Sequence, residues 1–124
     1  MDVSRPDLLV IDSYDHSRAA LAALLRDSGY AVREARNGLE GLHAAREKMP
    51  SLVVLDVWPF FSASVQMIEQ FRRRSASAQV PVLVVTSAIA PEYRARALDA
   101  GCAAYLQKPC PADRVLTEIR CLLG

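Results

Sequence analysis

The chain predicts an α/β domain built on a parallel sheet, and three observations carry that expectation. Short runs of apolar residues with no polar face recur at Leu8-Leu9-Val10-Ile11, Leu52-Val53-Val54-Leu55 and Val82-Leu83-Val84-Val85. A strand buried on both faces is continuously hydrophobic, whereas a half-solvated strand alternates. Helical patterns separate these runs, giving a strand-helix alternation with a period of about 20 to 25 residues. Each run also stops on a polar side chain: Asp12, Asp56 and Thr86, with Lys108 following a fourth run, Ala104-Tyr105-Leu106-Gln107. Open α/β sheets hold their ligands at the carboxyl ends of the strands, so in parallel strands these four groups meet at one edge.

In chain order, Asp15 is read as the cap of a first helix with Leu21, Leu24, Leu25 and Ser28 on one face and Gly29 as its stop. Ala31 to Ala35 is short and half polar, which suits an edge strand. Asn37-Gly38 is a turn. A second helix carries Leu39, Leu42, Ala45 and Met49 at helical spacing until Pro50 ends it. After the Asp56 strand, the loop from Val57 to Ser64 leads to a third helix with Val65, Ile68 and Phe71 inward and Arg72-Arg73-Arg74 facing water. The fourth strand is expected over Val80 to Val85, with Pro81 at its start. Pro91 opens a fourth helix carrying Tyr93, Ala97 and Leu98, and Gly101 terminates it. The fifth strand ends at Lys108. Ala112 or Asp113 begins a last helix with Val115, Leu116, Ile119, Leu122 and Leu123 inward.

Composition narrows the classes. With 124 residues, of which 52% are hydrophobic, residues 1–124 are expected to form one domain with a core of its own. A formal net charge of +1 offers no electrostatic footprint for nucleic acid or an anionic membrane. The apolar runs fall far short of the ~20 residues that span a bilayer, and no signal-peptide pattern opens the chain, so a cytoplasmic location is expected. Cys102, Cys110 and Cys121 form no C-x-x-C pair and read as free thiols. His16 and His43 have no partner spacing and read as surface or partly packed residues.

The strand-end residues resemble those of the receiver domain of two-component response regulators. The resemblance rests on Leu9-Val10-Ile11-Asp12, Val54-Leu55-Asp56, Val85-Thr86-Ser87-Ala88 and Lys108-Pro109, with matching spacings and helix stops such as Ala100-Gly101. It implies a (βα)5 doubly wound, flavodoxin-like fold with strand order 2-1-3-4-5. It also implies that Asp56 accepts a phosphoryl group from a histidine kinase or phosphotransfer protein, without steady enzymatic turnover. Aspartate is a competent nucleophile for an acyl phosphate, and the rest of the work is positioning and charge neutralisation. Mg2+ is the implied cofactor, held by Asp12, Asp56 and the backbone carbonyl of Trp58. Lys108 is implied to pair with the phosphoryl oxygens, Thr86 to hydrogen-bond them, and Thr86 with Tyr105 to act as the switch. The resemblance further implies that partners read the face made by the fourth helix, fifth strand and fifth helix, or that a homodimer forms there. The Lys108-Pro109 bond is implied to be cis.

Two departures qualify the resemblance. Where family members carry a second acid after the first strand, this chain has Ser13, so weaker metal binding is expected. Asp15 is read as a cap rather than as a replacement ligand. The loop Trp58-Pro59-Phe60-Phe61 replaces a glycine-containing turn: Phe60 or Phe61 packs under the third helix, or Trp58 shields the site or docks a partner. Ala88 offers no polar group to orient an attacking water, and with Trp58 beside the site an aspartyl phosphate is expected to be long-lived. Two other functions stay open. One is a phosphorylation-independent pseudo-receiver acting as an interaction module, to which Ser13 and the aromatic loop point. The other is a phosphohydrolase, disfavoured because its second acid is expected where Trp58 stands.

Overall fold

A computed structural model describes residues 5–124. Five strands and five helices alternate: β1 (Asp7–Ile11), α1 (Asp15–Asp27), β2 (Ala31–Ala35), α2 (Gly38–Glu47), β3 (Leu52–Leu55), α3 (Phe61–Arg73), β4 (Val82–Thr86), α4 (Pro91–Ala100), β5 (Ala104–Gln107) and α5 (Ala112–Leu123). The strands form one parallel sheet in the order β2-β1-β3-β4-β5. This is the doubly wound fold expected from the sequence.

The uninterrupted apolar strands have a simple cause. Successive side chains of a strand point to opposite faces, and here both faces are covered. Leu9, Ile11, Val53, Leu55, Val82 and Val84 point to the side where Ala45 of α2, Ile68 and Phe71 of α3, and Ala97 of α4 pack. Their neighbours Leu8, Val10, Leu52, Val54, Leu83 and Val85 point to the other side, against Leu25 of α1 and Val115 and Ile119 of α5. Each fully buried Leu, Ile, Val or Phe contributes roughly 1.5–3 kcal/mol. The sheet is therefore the shared wall of two cores. Gly41 lets α2 lie close on it: a Cβ there would come within 2.4 Å of Ile11 Cδ1.

Several local expectations are corrected. Asp15 is not the cap of α1: Tyr14 holds that position without a side-chain cap bond, and the Asp15 carboxylate accepts from Arg18 at 2.7 Å instead. The buried residues of α1 are Ala22 and Leu25, with Leu21 and Leu24 partly buried and Ser28 exposed as the C-cap. Asn37 caps α2 by accepting the Glu40 N–H at 2.9 Å, and α2 ends before Lys48 turns to an extended conformation, two residues ahead of Pro50. Of the apolar residues placed by helical spacing, Leu39 and Met49 are exposed, as is Leu98 of α4. β4 begins at Val82 and ends on Thr86, so Val80 and Pro81 precede it, and β5 ends at Gln107.

Arg72 does not face water with Arg73 and Arg74. Its Nη2 donates to the Val80 carbonyl, and its stem lies against Gly101 at the end of α4. Burial lowers the guanidinium pKa. Gly101 is left-handed at φ 112°, which glycine accepts without penalty. The half-polar edge strand β2 is where the sequence placed it, but Arg33 in its middle bonds the buried Asp7 at 2.8 Å and the carbonyls of Ala44 and Lys48 at 2.6 Å each. Cys102, Cys110 and Cys121 are free, and burial pushes the Cys102 thiol up to about 11.

Candidate functional site

Strand register builds the site. Ile11 of β1 lies opposite Leu55 of β3, so the next residues, Asp12 and Asp56, stand side by side. The ladder continues past the strands: the Asp56 N–H donates to the Ile11 carbonyl at 2.9 Å, and the Asp12 N–H to the Ala35 carbonyl at 3.1 Å. Thr86 lies opposite Gln107, and the Lys108 N–H donates to the Thr86 carbonyl at 2.7 Å. Backbone pairing thus gathers four side chains separated by up to 96 positions in the chain.

Asp56 is buried, yet three donors serve its carboxylate. Oδ1 accepts from the Trp58 N–H at 2.9 Å and from Thr86 Oγ1 at 2.5 Å, while Oδ2 accepts from Lys108 Nζ at 2.9 Å. Asp12 Oδ1 accepts from the Tyr14 N–H at 2.9 Å, and Oδ2 accepts from the Ser17 hydroxyl and from Lys108 Nζ at 3.4 Å. Lys108 also reaches Ser17 Oγ at 3.3 Å, and its peptide bond to Pro109 is cis, as the resemblance implied. Ser17 is the member that sequence reasoning missed. Its signal was faint: a hydroxyl five places after Asp12, in the first turn of a helix starting at the sheet edge.

The charges balance closely. Burial works against the Lys108 ammonium, but the Asp56 hydrogen bond and the Asp56 and Asp12 charges outweigh it and hold Lys108 above its ordinary pKa. Two carboxylates and one ammonium leave the cluster at net −1. Magnesium is usually bound through one or two carboxylates, waters and substrate phosphate. Asp12 Oδ1 and Asp56 Oδ2 each carry a single donor and keep an acceptor direction free, so the pair meets that minimum. Among the described residues no group of three His, Cys, Asp or Glu side chains gathers to hold a metal. Ser13, beside Asp56 in the same cavity wall, supplies a hydroxyl where a third carboxylate would strengthen the set.

Around this centre the aromatic loop divides its work. Phe61 is buried between α3 and α4, with its ring 4.7 Å from that of Tyr93 and the Arg96 guanidinium 4.9 Å over it. Trp58 meets the same Tyr93 edge-on at 6.2 Å and stays partly exposed, and Phe60 projects outward. The Trp58-Pro59 bond is a second cis peptide, which the sequence reading did not anticipate. Tyr105 is buried, its hydroxyl donating to the Ala88 carbonyl at 3.2 Å, while the Ala88 N–H donates to Thr86 Oγ1 at 3.3 Å. Burial, then the Asp56 charge, raises the Tyr105 pKa. Asp56, Thr86, Ala88 and Tyr105 therefore form one hydrogen-bonded chain. His16 and His43 lie exposed on α1 and α2.

Fold and site together define a domain of the receiver class. Residues 8–120 match the family model of the response regulator receiver domain, and the chain belongs to that family. Phosphorylation on an aspartate is the general function of these domains, which partner with histidine kinases or phosphotransfer proteins and generally require magnesium. Response regulator MprA of Mycobacterium sp. (strain KMS) is 34% identical over 116 residues, covering 94% of this chain and 50% of that protein. The polar-differentiation response regulator DivK of Brucella anthropi is 26% identical over 117 residues, covering 94% and 95%. The chain thus spans about half the length of the MprA relatives it matches and nearly all of DivK. Among solved structures, a CheY-like receiver domain protein of Methanospirillum hungatei JF-1 superimposes with TM-score 0.88 at 22% identity, covering 97% of this chain and 94% of that one. Chemotaxis protein CheY4 of Vibrio cholerae gives 0.88 at 23% identity, covering 96% and 99%. Both likenesses are of fold. Among the described residues no helix is long and apolar enough to cross a membrane.

Proposed function

We propose that Asp56 is the phosphoacceptor of this receiver, charged by a histidine kinase or phosphotransfer protein in the cytoplasm. The observation that carries the reading is the Asp56 carboxylate at the carboxyl end of β3, met by Lys108 at 2.9 Å and Thr86 at 2.5 Å. In the transfer, a carboxylate oxygen of Asp56 forms the new O–P bond as the N–P bond of a phosphohistidine breaks, and the imidazole keeps the bonding pair and takes up a proton. Lys108 holds positive charge where the phosphoryl oxygens arrive, and Thr86 exchanges its Asp56 bond for one to a phosphoryl oxygen. Magnesium, held by Asp12, Asp56 and the Trp58 carbonyl, supplies charge neutralisation when bound. Ser13 makes that binding weak.

Movement of Thr86 breaks the chain through Ala88 to Tyr105, which changes the face of α4, β5 and α5 that a partner or a second copy reads. The protein is a phosphoacceptor rather than a phosphohydrolase, since Trp58 stands two places after Asp56 where a second acid would serve hydrolysis. Buried Ala88 brings no side-chain group to orient water, so label on Asp56 outlasts that on a receiver with a polar side chain at this position. A chase after removal of the donor measures that lifetime.

The deciding experiment is intact-protein mass after incubation with a small-molecule phosphodonor and magnesium. Wild type gains one phosphate and Asp56→Asn gains none. A specific observation favours a second reading, a pseudo-receiver that signals without phosphate: Thr86 already bonds Asp56, and Tyr105 is already buried. No mass gain at any magnesium concentration, with no rise in melting temperature on adding magnesium, selects that reading.

A further inference from the structure

Beside Asp56 the molecule has a cavity of about 470 Å³, within the roughly 300–1,000 Å³ of small-molecule sites. Ile11 and Leu55 from the sheet, Leu42 from α2 and Met67 from α3 line its depth. At its lip stand Leu39, Trp58 and Phe60, exposed by 68%, 39% and 61%. Among the described residues seven large apolar side chains are exposed, and three of them surround this single opening. Leu39 and Phe60 take no part in the phosphoacceptor chemistry, and Trp58 contacts Asp56 through its backbone N–H.

The polar groups of the cavity say what it accepts. Arg36 is the one cation among the lining residues, and Glu40 occupies its guanidinium at 2.7 and 3.1 Å. Asp56 is paired with Lys108, and the acidic cluster behind it carries net −1, which repels anions. Arg36 is thus already paired, the residual negative charge at Asp56 belongs to the phosphoacceptor and magnesium chemistry, and the rest of the lining is uncharged. Ser13, Asn37 and Gln70 line the cavity as uncharged hydrogen-bonding groups. Flat indole and phenyl faces with a methionine behind them suit a ring.

We propose that this cavity binds a neutral, ring-containing small molecule, seated between α2 and α3 with its inner edge against Ser13 and Asp56. Such an occupant covers the approach to Asp56, so the site couples a small-molecule signal to the receiver and opposes phosphoryl transfer. The binding itself does not depend on the acceptor reading.

The test uses N-phenyl-1-naphthylamine, a neutral aromatic probe, with no phosphodonor present. Trp58 is the only tryptophan of the chain and reports from the lip itself. Expected is saturable binding of one probe per chain with quenching of Trp58 emission. Leu39→Asp and Phe60→Asp, which place a carboxylate at the apolar lip, each weaken affinity by about tenfold or more. Ile89→Asp changes an equally exposed apolar residue outside the cavity and leaves affinity unchanged. All three side chains point to solvent, and an unaltered melting temperature confirms that each variant is folded. No saturable binding to wild type overturns the proposal, as does binding indifferent to Leu39→Asp and Phe60→Asp, or weakened equally by all three variants.

Discussion

Ser13 is the residue with the most leverage on the metal. It lines the cavity beside Asp56, where a carboxylate would add a third negative charge near a divalent ion. At ~4 Å and an effective dielectric of ~20, one unit charge is worth roughly 4 kcal/mol, part of which desolvation returns. Ser13→Asp is therefore expected to raise magnesium affinity about tenfold or more, as read by Trp58 fluorescence on titration. Unchanged affinity would mean that Asp12 and Asp56 alone already set it. The strand-end residues were legible because each ends an apolar run. Ser17 was not, because nothing in a helix's first turn marks a serine that will reach back to Asp12 and Lys108.

At the scale of elements, the packing of α3 on α4 shows where sequence patterns mislead. Three consecutive arginines look like a solvated helix end, yet Arg72 turns inward because the Val80 carbonyl and the end of α4 lie within its reach. Gly101 makes room for it. A Cβ at Gly101 would meet Arg72 Cγ at 2.5 Å and Cδ at 2.9 Å, on a backbone at φ 112° that side chains rarely adopt. Gly101→Ala should cost about 1–3 kcal/mol, seen as a lower urea midpoint with unchanged slope. Helix existence was readable from periodicity and from stops such as Gly29 and Gly101. Helix ends were less so: the α1 cap position fell to Tyr14 and the α2 cap to Asn37, choices made by how each loop leaves its strand.

At the scale of the molecule, the sheet carries a charged cluster whose parts come from all over the chain, and that cluster ties stability to pH. Lys108 is held above its ordinary value of 10.5, burial opposing the shift and Asp56 and Asp12 driving it. A group raised on folding stabilises fully below its unfolded pKa and loses that contribution as pH climbs through the folded one. The urea-midpoint difference between wild type and Lys108→Met is thus expected to hold steady through neutral pH and to narrow above about pH 10.5. A difference that instead shrank on going from pH 7 to pH 9 would contradict the pairing. The sequence alone determined the parallel sheet, its two covered faces and the polar edge, because burial on both sides forces continuous apolar strands, and each run stops on a polar residue. Tertiary structure decided what periodicity does not encode: the bond of Thr86 to Asp56, the inward Tyr105, the inward turn of Arg72 and the cavity under Leu39, Trp58 and Phe60. Each depends on distances between elements remote in sequence, and those distances exist only once two cores have closed on one sheet.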